Sequence, residues 1–153
     1  MADADGIDLS AASLSVLREN AAEEGLEPTV WQGDMAQFTV DRAYALAICP
    51  FNALQELRSV DNRLAALDAT YDALAPGGSF VFDLFVPDFE FICGTYGELL
   101  FAEDSRATML PRDEVELLAR ASPFEAWHVT GGFSDEPLAD GHTKQVWTLE
   151  KTG

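Results

Sequence analysis

Two apolar runs constrain the fold of this chain more than any other feature. "YALAICPF", stopped by Pro50, and "SFVFDLFV", stopped by Pro87, are continuous rather than alternating. A strand with water on one face alternates apolar and polar residues, whereas an unbroken run suits a strand covered on both faces, as in parallel sheets. Between the runs, Ser59 can cap a helix. Val60, Leu64, Leu67, Tyr71 and Leu74 then step by four, three, four and three, a helical stripe. "APGG" follows, with Gly77 and Gly78 suited to the left-handed turn that ends a helix. The pattern is strand, helix, strand.

The flanking segments extend it. "GIDLS" reads as the end of a strand running into a helix capped by Ser10, with Leu14, Leu17 and Ala21 on one face and Gly25 as terminator. "TVWQGD" predicts a strand from Thr29 to Gln32 and a turn at Gly33. "LPRDEVELLARAS" predicts a helix with Pro111 in its first turn and Asp113 and Glu114 near its positive end. "FEAWHVTGGF" and "KQVWTLEK" predict two strands joined through the turn-rich "SDEPLADGH". Residues 88–109 carry aromatics without a clean period. The order is strand, helix, strand, strand, helix, strand, helix, strand, strand. It predicts one α/β domain over residues 1–153, with a mostly parallel sheet and an antiparallel C-terminal hairpin.

Composition narrows what such a domain can do. A chain of 153 residues with 48% hydrophobic and 10% aromatic content supports a single core rather than disorder. No apolar run reaches the roughly 18 residues of a membrane span. "MADADG" lacks the apolar stretch of a signal peptide, so a cytoplasmic location is expected. Asp and Glu total 27 against 9 Lys and Arg, a formal net charge of −18, and the lysines are Lys144 and Lys151. That balance argues against nucleic acid and anionic lipid as partners, since both need basic patches. The acids are spread through the apolar pattern rather than gathered in a tail. The expectation is an acidic surface of halophilic type, on which screening by salt relieves self-repulsion. Cys49 and Cys93 have no CxxC spacing and are expected to be reduced, buried thiols.

Open α/β sheets bind ligands beyond the carboxyl ends of their strands. Four such ends can be located: Asp8, Asp34, the "CPFN" stretch beginning at Cys49, and Asp83. Asp8 can accept from ribose hydroxyls. Asp34 can accept from an exocyclic amine, with the backbone at Met35 reading a ring nitrogen and Met35 or Leu9 packing on a flat ring. Strand-end aspartates also make turns and cap helices, and that bland role stands beside the ligand role. His128 is a lone histidine on a strand, and two histidines without acids at ligand spacing make no metal site. No GxSxG elbow supports nucleophilic hydrolysis. Trp31, Trp127 and Trp147, and Phe80, Phe82 and Phe85, read as core or edge packing.

Taken together, "GIDLS", "VWQGDM", "ALAICPFNALQEL" and "ALAPGGSFVFDLFVP" resemble the class I S-adenosylmethionine-dependent methyltransferases of the small-molecule type. The resemblance covers roughly residues 6–90 and 110–150 and implies a Rossmann-like sheet. It implies S-adenosylmethionine as cofactor, with Asp8 at the ribose, Leu9 beside it to pack on the ring, Asp34 and Met35 at the adenine, and Cys49 and Phe51 near the methionine part. Asn52 and Asp83 are implied on the substrate side. The missing amino-group motif favours a small-molecule acceptor. The family's Gly-rich loop and the strand preceding it, which forms the centre of the sheet, have no counterpart in the sequence. Three outcomes follow: the sheet closes up directly, another chain or a second copy supplies the strand, or the chain is a truncated domain. The resemblance therefore implies either a methyltransferase or a non-catalytic or incomplete domain that binds the nucleoside part only, or needs a second chain.

Overall fold

The computed structural model describes residues 4–86 and 108–153. Cys93, the "GTYG" stretch and most of the unreadable 88–109 segment lie outside them.

The predicted elements form in the predicted order. Strand β1 is Asp5–Asp8 and helix α1 is Ala11–Glu23. Ser10 caps α1, its hydroxyl accepting from the Ser13 amide at 3.1 Å. Gly25 stands at φ +69°, the left-handed conformation that ends the helix. β2 is Thr29–Gln32 and β3 is Tyr44–Cys49. A short 3-10 turn, Ala53–Glu56, precedes α2, Val60–Ala73, which Ser59 caps through the Asn62 amide at 3.1 Å. β4 runs Leu74–Phe85, α3 Arg112–Ala121, β5 Ala126–Thr130 and β6 Lys144–Glu150.

The strands form two sheets. β1 and β2 pair in parallel as one. The other has the order β3-β4-β6-β5, with β3 parallel to β4 and both β4–β6 and β5–β6 antiparallel. The sheet therefore does not close up across the place of the missing strand: β1 and β3 are not paired with each other. Their first residues meet through side chains instead. The Tyr44 hydroxyl donates to the Asp5 carboxylate, and Arg42 reaches the same carboxylate at 2.7 Å.

The core lies on the four-stranded side. Phe82, Leu84, Trp147 and Leu149 of β4 and β6 are buried, with Leu54, Leu67, Leu110, Val115 and Phe124 packed around them. The rings of Phe82 and Trp147 stack at 6.5 Å. Each such side chain withdrawn from water stabilises the fold by about 1.5–3 kcal/mol.

Several expectations need correction. β3 is not covered on both faces. Ala47 and Cys49 pack on the core, but Leu46 is 56% and Ile48 68% exposed, because β3 is an edge strand with nothing over their side. Of the stripe predicted on α2, Leu67 and Leu74 are in the core and Leu64 and Tyr71 pack against it, although Leu74 is already the first residue of β4. Arg63, Ala66, Leu67, Thr70 and Ala73 are buried and Val60 is exposed, because the helix packs between β4 and α3. On α1 only Leu14 of the expected face is buried, and Phe85 is half-exposed at the end of β4 rather than in the core.

Candidate functional site

The strand-end residues divide into two groups, one on each sheet. At the tips of β1 and β2, the Gly33 amide donates to the Asp8 carbonyl at 3.1 Å, which holds the two tips side by side. Asp8 Oδ1 accepts from the Ser10 amide at 2.7 Å, and Asp34 Oδ1 accepts from the Ala36 amide at 2.9 Å. Each aspartate thus makes the turn that the bland reading gives it, with one oxygen. The second oxygen of each has no partner among the described residues. Leu9, which follows Asp8, is 70% exposed, while its carbonyl accepts from Gln32 Nε2 at 3.0 Å. Met35 is partly buried and packs against the main core.

The second group lies at the ends of β3 and β4. Asp83 is buried, and among the described residues it is the one buried acid. Lys144 Nζ donates to its Oδ2 at 2.6 Å, while Oδ1 has no partner among the described residues. Register puts the two together: Asp83 faces Val146 on β6, so Lys144 emerges at the open end of the strand pair. Its ammonium lies 5.5 Å from the centre of the Phe85 ring and 5.6 Å from that of Phe133. Cys49 is beside this carboxylate. Burial, and then the charge of Asp83, push its thiol up from 9.0 to about 11, so it is a neutral wall rather than a nucleophile.

Beyond Cys49 the backbone is strained. Phe51 at φ 61° and Asn52 at φ 58° are consecutive non-glycine residues in the left-handed region. Such strain persists where the surroundings enforce it, often at functional sites. Here the following turn enforces it. The Gln55 amide donates to the Asn52 carbonyl at 2.8 Å, and Gln55 Oε1 accepts from the Phe85 amide at 3.3 Å. Phe51 is left 87% exposed, and Asn52 Oδ1 is buried without a partner among the described residues. The residues that follow β3 thus offer an exposed apolar ring, Phe51, and a buried acceptor atom on Asn52.

Sequence reasoning missed Lys144 and Gln55. Lys144 carried one signal: it is one of two lysines in a strongly acidic chain. Gln55 carried none. Of the histidines, His128 is exposed on β5, and His142 sits in the hairpin turn bonded to Ala139. No cluster among the described residues could hold a metal ion.

A family profile described as a methyltransferase domain matches residues 1–78. Solved structures share the fold. An S-adenosylmethionine-dependent methyltransferase from Clostridium acetobutylicum ATCC 824 matches with a TM-score of 0.83 at 14% identity, over 99% of this chain and 76% of that one. The CcbJ methyltransferase from Streptomyces caelestis matches at 0.77 and 17% identity, over 99% of this chain and 75% of that one. CalS10 from Micromonospora echinaspora, an amino pentose methyltransferase with its cofactor bound, matches at 0.69 and 21% identity, over 97% of this chain and 73% of that one. None of the curated proteins matches this chain.

Proposed function

This chain belongs to the methyltransferase-domain family, and on that premise we propose that it is an S-adenosylmethionine-dependent methyltransferase acting on a small molecule. The observation that carries the reading is the pair of tied strand tips inside the matched residues 1–78. Each tip aspartate keeps one carboxylate oxygen without a partner among the described residues, and Leu9, next to Asp8 in the chain, is exposed.

In this reading Asp8 accepts from the two ribose hydroxyls through its free oxygen. Asp34 accepts from the exocyclic amine, and the Met35 backbone meets a ring nitrogen while Leu9 covers the ring. When bound, the cofactor supplies a methyl group on a positively charged sulfur, open to in-line displacement. Phe51 and Cys49 wall the space for the methionine part. Asn52 and Asp83 face the acceptor. Lys144 holds Asp83 Oδ2, so Oδ1 is the atom left to take a proton from an attacking amine or hydroxyl. Rate comes mainly from holding donor and acceptor in line. A small acceptor is supported by the shared fold with the amino pentose enzyme.

One observation favours a second reading. Among the described residues β1 and β3 are not paired with each other. The chain then grips the nucleoside part alone, or needs a second chain to complete the methionine side.

Calorimetric titration with S-adenosylmethionine and with adenosine separates the two. Much tighter binding of the whole cofactor is expected of an enzyme. Equal affinity for the two ligands sinks that reading for the chain alone. Asp8→Ala is expected to weaken adenosine binding about tenfold or more, the worth of hydrogen bonds to a charged group. An unchanged affinity refutes the ribose role.

The free thiol of Cys49 supports a reducing, cytoplasmic setting. No helix among the described residues is long and apolar enough to cross a membrane. The net charge of −18, with Asp83 the one buried acid described, supports an acidic surface suited to high salt. The unfolding midpoint is then expected to rise from low to molar KCl. A flat midpoint counts against the adaptation.

A further inference from the structure

Lysine is a methylatable side chain, and this chain has two, Lys144 and Lys151. They sit at opposite ends of one strand pair. Lys144 opens β6 and lies opposite Phe85, the last residue of β4, so it stands at the carboxyl ends of β3 and β4. Open α/β sheets take their ligands at that end. Lys151 follows β6 and lies at the amino end of β4, where its Nζ donates to the carbonyls of Tyr71 at 2.8 Å and Leu74 at 2.7 Å.

The surroundings of Lys144 are those of a methyl acceptor. An ammonium attacks only after giving up a proton, so it needs a base within hydrogen-bond reach. Asp83 Oδ2 accepts from Lys144 Nζ at 2.6 Å. The side chain of Asp83 is 1% exposed and that of Lys144 35%, so the base is covered while the nucleophile is open. Two rings flank the nitrogen, with the centres of Phe85 and Phe133 at 5.5 and 5.6 Å. Methylation keeps the positive charge of a lysine and adds apolar surface to it. Aromatic faces hold a methylated ammonium well, so the place suits the product as well as the starting amine.

We propose that Lys144 is itself a methyl acceptor, modified at Nζ by its own chain with S-adenosylmethionine as donor. The inference rests on the reading that Asp83 marks the acceptor side, and goes beyond it by naming an acceptor within the chain. The ammonium of Lys144 passes one proton to Asp83 Oδ2, and from there the proton goes to water. The freed electron pair of Nζ forms the new bond to the methyl carbon as the carbon–sulfur bond breaks. The pair of the broken bond stays on sulfur, which turns from a positive sulfonium into a neutral thioether. Lys144 ends as a methylammonium with two N–H groups, one of which returns to Asp83 Oδ2.

Mass spectrometry of the digested chain tests it, after incubation of the full chain in high salt with S-adenosylmethionine carrying a deuterated methyl group. Label on Lys144 is expected to exceed that on Lys151 about tenfold or more, since held reactants gain far more than this, and to be equal on the two in urea. Equal label in the folded chain overturns the proposal, because it marks uncatalysed alkylation. No label on a Lys144 that starts unmethylated overturns it too. Calorimetric binding of the cofactor to the same sample then shows that the methyl-transfer reading stands without it, and no binding shows that both fall. A methyl group already on Lys144 before incubation supports the proposal if Asp8→Ala, purified alike, carries less of it, and overturns it if that variant carries as much. A second measurement needs no turnover. Acetylation of Lys144 by acetic anhydride is expected to slow about tenfold with S-adenosylhomocysteine at about ten times its dissociation constant, since only the free chain then reacts. Lys151 is the internal standard and is expected to react at an unchanged rate. Undiminished acetylation of Lys144 in the bound chain overturns the proposal, because the sulfur then lies away from the amine.

Discussion

The two sheets carry unequal shares of the molecule's stability. In the β1–α1–β2 unit Leu14 is the one residue buried as core, and Val16, Leu17 and Leu26 are exposed. The four-stranded sheet and its helices hold nearly all the remaining core. The proposed nucleoside contacts sit on the first unit and the proposed acceptor contacts on the second. The contrast teaches that the half of the site meant to hold a ligand has little apolar burial to hold itself. Its order depends on ties at its margins: Gly33 to Asp8, Arg18 to the Val30 carbonyl at 2.7 Å, and Tyr44 and Arg42 to Asp5.

The largest expected effect breaks this comparison most directly. Trp147→Ala, in the centre of the four-stranded core, is expected to cost about 3–5 kcal/mol of global stability in denaturant unfolding. Leu14→Ala is expected to speed amide exchange across α1 while leaving the main transition within about 1 kcal/mol. Equal losses in the main transition would mean that the two units unfold as one block.

A smaller effect sharpens the contrast at the site itself. Lys144→Met leaves the Asp83 carboxylate buried without its cation. About 3 kcal/mol is expected to be lost, the low end for a buried pair because Lys144 is partly in water. Adding Asp83→Leu is expected to restore most of it, since an apolar pair removes both charges together. A double variant no more stable than the single one contradicts this. Asp8→Ala, at an exposed tip, is expected to change stability by no more than about 0.5 kcal/mol.

The smallest effect is chemical. In a Cys93→Ser background, Cys49 is expected to react with a disulfide reagent at pH 9 roughly 50-fold more slowly than in the unfolded chain, because far less of it is thiolate. The raised thiol contributes stability that is complete below its ordinary value near 9.0 and is lost as pH climbs toward about 11. Equal rates in folded and unfolded chain would mean that the end of β3 is open to solvent, like the tip of β1.

Local chemistry was legible in the sequence and long-range neighbours were not. Ser10 and Ser59 cap where the sequence places the caps, and Thr29–Gln32 is the predicted strand to the residue. The strand-end positions of Asp8, Asp34 and Cys49 could be read because apolar runs stop at turn residues, whereas Asp83, expected at a strand end, lies inside β4, which runs on to Phe85. The exposure of Leu46 and Ile48 could not, because an apolar run tells what a strand tolerates and not whether a neighbour arrives. Lys144 and Asp83 are 61 residues apart, and only the antiparallel register of β4 and β6 brings them together. Arg63 was missed for another reason. Hydropathy counts it as polar, yet it is buried against α3, bonded to Glu114 at 3.2 Å.

The position of β6 in the sheet also fixes when the protein can become stable during its synthesis. β4 has β3 on one side and β6 on the other, and β6 contributes Trp147 and Leu149 to the middle of the core. As the chain leaves the ribosome, β3, α2 and β4 emerge early, but one edge of β4 and the face of Phe82 stay uncovered until Lys144–Glu150 has been translated. A nascent chain stalled before that point exposes a long apolar strand edge and is a substrate for chaperones or for aggregation.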